Sequence, residues 1–352
     1  MPNPATAVFI TFRPKMVTKT LLSPLAPRAR EVIVGRFGLG QEPERKTLDA
    51  IGKVYGITRE RVRQIENAAL SAIRKSDTFA ESGTVFAELH GHMSRLGSIV
   101  PEEDFLSHLA KDRGAQNHLH LYLVLGEGFH KQKEDDHFRH RWSIDHKMSA
   151  RVHDALLSMH EEVGMEDLIP ESEMIERFLK KIEVSNEYKN EDIARRWLGL
   201  SKVLAPNKLG DWGRAESPNI SARGIRDYAF LVIRKRGSPM HFKEVAESIT
   251  DIFGKKAHIA TCHNELIKDP RFVLVGRGLY VLSEWGYAGG PVRDVISDLL
   301  DREGPLTKEE IVARVKRERY VKENTILVNL QNPEYFQKDK KERFTPRTRT
   351  RA

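Results

Sequence analysis

Four times between Phe105 and Phe344, an apolar residue in a helix-like stretch is followed after a nearly fixed interval by an aromatic residue in a strand-like one. The pairs are Phe105 to Trp142, Ile175 to Trp212, Val245 to Tyr280 and Ile311 to Phe344, separated by 37, 37, 35 and 33 residues. An interval that recurs at that length points to one small supersecondary unit used repeatedly. The clearest copy lies within residues 224–286. Residues 227–235 read as a first helix ended by Gly237, residues 242–253 as a second and residues 258–268 as a third. RFVLVGRGLYVL then alternates around Gly276 and Gly278 as a β-hairpin.

Three helices and a hairpin make a winged helix, so the chain is expected to be mainly α, with tandem winged-helix domains after a first module of another kind. The expected boundaries are an N-terminal extension at 1–27, the first module at 28–76, winged helices at 80–145, 148–216, 221–287 and 290–347, and a basic tail at 348–352. Turn signals are weaker in the first two copies, where unrelated small helical domains stay open as an alternative. A winged helix offers its third helix to a groove and its wing to phosphate. That singles out Lys255, Lys256, His258, Thr261, His263 and Asn264 in the third copy, and Lys338, Lys340, Lys341 and Arg343 in the last wing.

The first module is organised around GITRERVRQIENAAL, residues 56–70, which carries three Arg, two Glu, one Gln and one Asn in fifteen positions. With Gly56 as the turn of a helix-turn-helix, Leu48, Ile51 and Tyr55 fall on the buried side of a first helix. Gly52 stands where the helices cross, and Ile57, Val62 and Ile65 lie beyond. Thr58 is placed to cap the second helix, with Glu60 in its first turn. At about 100° per residue, Val62, Ile65, Ala69 and Ile73 form one stripe, and Glu60, Arg63, Gln64, Asn67, Ser71 and Arg74 line the other face. A merely solvated face favours Lys and Glu. This one concentrates Arg, Gln and Asn, which pair bidentately with guanine and adenine edges, and Arg also grips phosphate better than Lys.

RAREVIVGRFGLG followed by TLDAIGKVYGITRERVRQIENAALSAIRK, together residues 28–75, closely resembles region 4 of bacterial primary sigma factors. The resemblance implies a domain that reads the promoter −35 element and docks on the β-flap of RNA polymerase. It further implies that Arg59, Glu60, Arg63 and Gln64 reach bases or phosphates, that Arg61 lies near the backbone, and that the helix at 28–39 belongs to the flap-binding half. With Thr58 and Asn67 these are the candidate DNA-binding residues. Two departures stand out. Ala50 occupies a position where the family usually has a second carboxylate, so a local ion pair is expected to be missing. The resemblance also covers only about a seventh of the chain, and the 27 residues before it hold Phe9 and Phe12 as their only aromatics, so promoter melting is not expected of the chain alone. The third winged-helix copy, with its GRGLYVL hairpin, resembles the HARE-HTH winged helix and the N-terminal domain of the RNA polymerase δ subunit, which implies DNA or polymerase contact rather than chemistry.

Charge is unevenly placed. The net +8 resolves into +3 in the first 27 residues, +5 over 28–75, +5 from Lys338 to the end and −5 in between. Basic character suited to a phosphate backbone therefore sits at the two ends, and the acidic middle fits a protein partner as well as it fits a duplex. The tail TPRTRTRA is read either as a phosphate-clinging arm or as plain solvated chain. No apolar run reaches the eighteen or so residues of a membrane span, and the N-terminus lacks a signal-peptide pattern. The single cysteine, Cys262, reads as a small buried hydrophobe in a reducing compartment, so a cytoplasmic, nucleoid-associated protein is expected. Eleven of the fourteen His lie between His90 and His160, but without Cys or metal-site spacing; no metal and no cofactor are expected. Acidic pairs such as Glu102/Glu103 and Glu309/Glu310 begin helices, where the dipole favours them. With no catalytic fingerprint, neither an enzyme nor a small-molecule substrate is expected.

The function expected from these features is a sigma-like transcription regulator that binds promoter DNA and contacts RNA polymerase. The alternative is a polymerase accessory protein that grips the β-flap and competes with sigma without reading DNA.

Overall fold

The computed structural model describes residues 10–287, 291–318 and 321–347. Phe9, the Gly289/Gly290 boundary signal and the basic tail at 348–352 lie outside these residues. Among the described residues no helix is long and apolar enough to cross a membrane.

The chain begins with helices α1 (Pro14–Leu21) and α2 (Pro27–Phe37), each with proline in its first turn, where the missing N–H costs nothing. Gly38 ends α2 at φ 65°, its N–H returning to the Val34 carbonyl. Next come α3 (Leu48–Tyr55), α4 (Arg59–Arg74) and the short α5 (Asp77–Glu81). Each is capped by a hydroxyl: Thr47 accepts from the Ala50 N–H, Thr58 from Arg61 and Ser76 from Phe79. The stretch read as an N-terminal extension thus contains a helix and core residues. Leu21, Leu22 and Leu25 are all at most 5% exposed, and Thr18 hydrogen-bonds to His118 and Tyr122 about a hundred residues on.

The rest is one plan carried out four times. The first copy has α6 (Gly83–Arg95), β1 (Ile99–Pro101), α7 (Glu102–Leu109), α8 (Arg113–Leu125), β2 (His130–Gln132) and β3 (Arg141–Ser143), with strand order β1-β3-β2. The second has α9 (His146–Glu162), β4 (Ile169–Pro170), α10 (Glu171–Lys181), α11 (Glu191–Leu198), β5 (Leu204–Pro206) and β6 (Asp211–Arg214), ordered β4-β6-β5. The third has α12 (Ile225–Arg236), β7 (Met240–His241), α13 (Phe242–Phe253), α14 (Ile259–Lys268), β8 (Phe272–Leu274) and β9 (Leu279–Leu282), ordered β7-β9-β8. The fourth has α15 (Val292–Glu303), α16 (Lys308–Glu318), α17 (Glu323–Leu330) and the antiparallel pair β10 (Phe336–Lys338) and β11 (Phe344–Pro346), with a single bridge from Leu306 to Phe344 in place of the third strand.

The recurring interval in the sequence has a structural cause. Trp142, Trp212, Tyr280 and Phe344 all lie in the last strand of their copy, which in the first three is the central strand of the sheet. Phe105, Ile175, Val245 and Ile311 all lie on the second helix and are at most 3% exposed. Fixing both ends of the unit fixes the length of chain between them.

The described residues divide into two units, one running to residue 206 with 212–215, the other taking 207–211 and everything from 216 on. In the first unit, Ile33, Phe37, Ala69, Leu70 and Ile73 share a single core with Leu89, Met93, Leu119, Tyr122 and Trp142 of the first copy. A separate small core, Val32, Ile51 and Val62 flanked by Leu48, Tyr55, Ile57 and Ile65, holds the helix-turn-helix itself.

Candidate nucleic-acid interface

The approach of α3 to α4 fixes what α4 can present. Gly56 closes α3 at φ 63°, a left-handed conformation that disfavours any side chain. A Cβ on Gly52 would meet the Ile57 carbonyl oxygen at 2.6 Å, so the chain passes over α3 at a distance only glycine allows. Tyr55 is pinned from α2: its hydroxyl donates to Glu31 at 2.6 Å, and the Arg28 guanidinium lies 5.5 Å from its ring. Val62, Ala69 and Ile73 are buried and Ile65 is half-buried, as the apolar stripe requires.

The opposite side of the first turns of α4 is exposed. Thr58, Arg59, Glu60, Arg61, Arg63, Gln64 and Asn67 all face solvent. Their contacts are mostly with each other. Arg63 forks onto Glu60, with Nη2 donating to Oε1 at 2.6 Å and Nε to Oε2 at 2.9 Å. Arg61 Nη1 donates to Gln64 Oε1 at 3.1 Å. The Arg63 guanidinium holds the Glu60 carboxyl below its ordinary range, so Glu60 is an anion at neutral pH. An exposed ion pair of this kind contributes little to stability, so a base edge or phosphate can compete for either member. Arg59 makes no side-chain hydrogen bond among the described residues but adds its charge to that of Arg63 on Glu60.

Two charged residues of α4 do not belong to this surface. Arg74 turns to the first copy, donating from Nη2 to the Val124 carbonyl at 2.7 Å and from Nε to the Leu125 carbonyl at 3.1 Å, where it satisfies the carbonyls left open at the end of α8. Glu66 accepts from Arg36 Nε of α2 at 3.0 Å. Helical periodicity gives a side chain's angle around the axis, and a neighbouring domain decides whether that angle faces solvent.

Elsewhere the candidate contacts divide. Lys255, Lys256, His258, Thr261 and Asn264 of the third copy are exposed, and Lys255 Nζ lies 5.2 Å from the Tyr228 ring. His263 is half-buried: its ring stacks on Phe242 at 4.2 Å and meets Tyr280 edge-on, which makes it a packing residue. In the fourth wing Lys340 and Lys341 are exposed, Lys338 pairs with Glu342 at 2.8 Å and Arg343 with Asp339 at 3.0 Å.

Of the eleven histidines between His90 and His160, eight are exposed or half-buried and three lie in the core. His92, His118 and His120 are at most 7% exposed, and burial depresses the pKa of each. Among the described residues no three His, Cys, Asp or Glu side chains gather as a metal set. Cys262 is fully buried, and burial pushes its thiol up to about 11.

One residue that sequence reasoning missed is Asn117, 2% exposed, which joins the first module to α8. It donates to the Gly38 carbonyl at 3.0 Å and the Pro43 carbonyl at 2.9 Å, and accepts from Arg45. The available signal was an Asn-His-Leu-His run inside an otherwise apolar helix, where polar side chains need internal partners.

The first module is similar to known proteins over a short span. Residues 21–75 match the family model described as Sigma-70, region 4. The RNA polymerase sigma factor RpoS of Coxiella burnetii is 55% identical over 53 residues, which is 15% of either chain. The sigma factor SigA1 of Synechococcus elongatus is 48% identical over 54 residues, 15% of this chain and 13% of that one. The sigma factor SigA of Microcystis aeruginosa is 45% identical over 56 residues, 16% of this chain and 13% of that one. The chain thus matches only about a seventh of the length of these relatives. The matched segment ends with α4 and begins with the last residue of α1. Residues 21–75 therefore carry a Sigma-70 region 4 domain, a DNA-binding helix-turn-helix of the kind that contacts the −35 element and RNA polymerase.

Proposed function

We propose that this chain is a sequence-reading transcription regulator that places the first turns of α4 in the major groove of a −35-type promoter element. The observation that carries the reading is the placement of Arg59, Glu60, Arg61, Arg63, Gln64 and Asn67 in solvent on a helix whose other face is buried. In this reading Arg63 and Gln64 address base edges and Arg59, Arg61 and Thr58 the phosphates around them. Lys255, Lys256 and Asn264 of the third copy and Lys340 and Lys341 of the fourth wing add weaker contacts to DNA or polymerase, gaining effective concentration from the linkage. The chain catalyses no reaction of its own.

The rival reading, a β-flap ligand that competes with sigma without reading DNA, is less well supported. The apolar side chains of α2 and of the end of α4, among them Ile33, Phe37, Leu70 and Ile73, are at most 8% exposed within the core shared with the first winged helix. A polymerase contact through that face would have to displace the chain's own packing, so polymerase is met elsewhere on the surface.

Selection from random duplex DNA by the full chain, with the Arg59→Ala/Arg63→Ala variant in parallel, tests the proposal. We expect one enriched motif that the variant does not recover. Binding to core polymerase with no enriched motif would establish the rival.

A further inference from the structure

The third helices of the copies differ in what covers them. In the first copy α8 packs against α1, α2 and α4, and its residues from Asn117 to Leu123 are all buried. In the second, α11 lies against β1 of the first copy, where Trp197 is fully buried and its indole N–H donates to the Gly97 carbonyl at 3.1 Å. In both, this helix is where another part of the protein docks. In the third copy α14 stands open, with Ile259 43% and Ile267 62% exposed.

Ile259, His263 and Ile267 recur every four residues and so form one ridge along α14. The hairpin extends it. Leu274 of β8, 43% exposed, stands opposite Tyr280 in the register and therefore on the same side of the sheet, and the Tyr280 ring meets His263 edge-on at 6.0 Å. Phe242, which opens α13, stacks on His263 at 4.2 Å and on His241 at 4.4 Å. Neighbouring apolar side chains left in water mark a binding surface. Around this one stand Lys243, Lys268 and Arg277, from α13, α14 and the hairpin turn, all exposed and none in an ion pair among the described residues. Glu244, beside Lys243, is occupied in accepting from the His241 N–H at 3.2 Å, and Glu265, two residues on from His263, lies on the other side of α14.

This rim decides between occupants. A second copy presenting the same ridge would set Lys243, Lys268 and Arg277 against their own counterparts. A single-stranded nucleic acid needs open aromatic rings for its bases, whereas Phe242 is already stacked by two imidazoles and the most exposed side chains are aliphatic. In the first two copies the third helix is covered by protein. We propose that the α14 ridge binds an acidic segment of another protein, which sets apolar anchors on Ile267 and Leu274 and carboxylates on Lys243, Lys268 and Arg277. The proposal stands apart from the reading of DNA by α4.

The test is fluorescence anisotropy of the full chain with three labelled helical peptides. The first carries leucines on one face and glutamates on the other, the second replaces each Glu by Lys, and the third replaces each Leu by Ala; labelled oligothymidylate is measured beside them. We expect saturable binding of the first peptide alone, weakened at least tenfold by Ile267→Ser and by Lys268→Ala/Arg277→Ala, with the Ile267 methyl resonance of the parent chain shifted on saturation. The substituted side chains are exposed, and an unchanged circular-dichroism melt verifies that each variant folds. Failure of the first peptide to bind would overturn the proposal, as would binding that ignores both variants or equal binding of the lysine peptide. Oligothymidylate binding that Ile267→Ser abolishes would assign the ridge to single strands, and self-association that it abolishes would assign it to a second copy; either result overturns the proposal.

Discussion

The two halves of α4 are one continuous helix with opposite fates. From Arg59 to Asn67 the polar residues other than Glu66 stand in solvent and pair mainly with one another, whereas from Ala69 to Arg74 the helix is held by the core shared with the first copy and by the α8 carbonyls. The difference teaches how a rigid reader is made. A surface helix has little stability of its own, so the reading half keeps its geometry through Val62 and Ile65 in the small helix-turn-helix core and through the packing of the other half.

Substitutions that act on one half only can break or sharpen this contrast. The largest effect is expected in the anchored half: Ile73→Ala removes a fully buried side chain at the domain junction and should cost about 2–5 kcal/mol in denaturant unfolding. A loss below 1 kcal/mol would mean the junction is not a shared core. Gly52→Ala comes next, because its methyl group would meet the Ile57 carbonyl oxygen at 2.6 Å; overpacking of this kind costs about 1–3 kcal/mol, read as a lowered melting temperature. Thr58→Ala deletes the cap of α4 and should cost about 1 kcal/mol, with Thr58→Ser recovering most of it in the same melt. Smallest is Gln64→Ala on the exposed face, expected within about 0.5 kcal/mol of the parent in stability while it still weakens binding to the selected motif. A large stability loss there would show that the exposed half is also structural.

Much of this arrangement was legible in the residues. Gly56 and Thr58 mark the turn and the cap because those positions need a left-handed backbone and a hydroxyl acceptor, and both do so in the structure. The second helix of the third copy spans Phe242–Phe253 as read, with the short strand β7 before it. What escaped depends on packing between units. Periodicity places Arg74 beside Asn67 around the helix axis, but only the presence of α8 decides that Arg74 is an anchor. The helix α1 escaped because eight residues with a lysine every few positions look like a solvated extension until Leu21 meets its core. The burial of His118 and His120 escaped because a histidine looks the same in sequence whether its partner is water, Thr18 or Glu102.

The central claim is that the exposed arginine and glutamine turns of α4 read base pairs. Its most direct test is the affinity of the full chain and of Arg63→Ala for the selected duplex and for every single-base-pair variant of it, measured by fluorescence anisotropy at fixed salt. We expect Arg63→Ala to lose about 1–3 kcal/mol of discrimination at one base pair and to leave the others unchanged. Equal weakening on all sequences would mean that Arg63 holds phosphate only, and no preference among duplexes in the parent chain would contradict the claim outright.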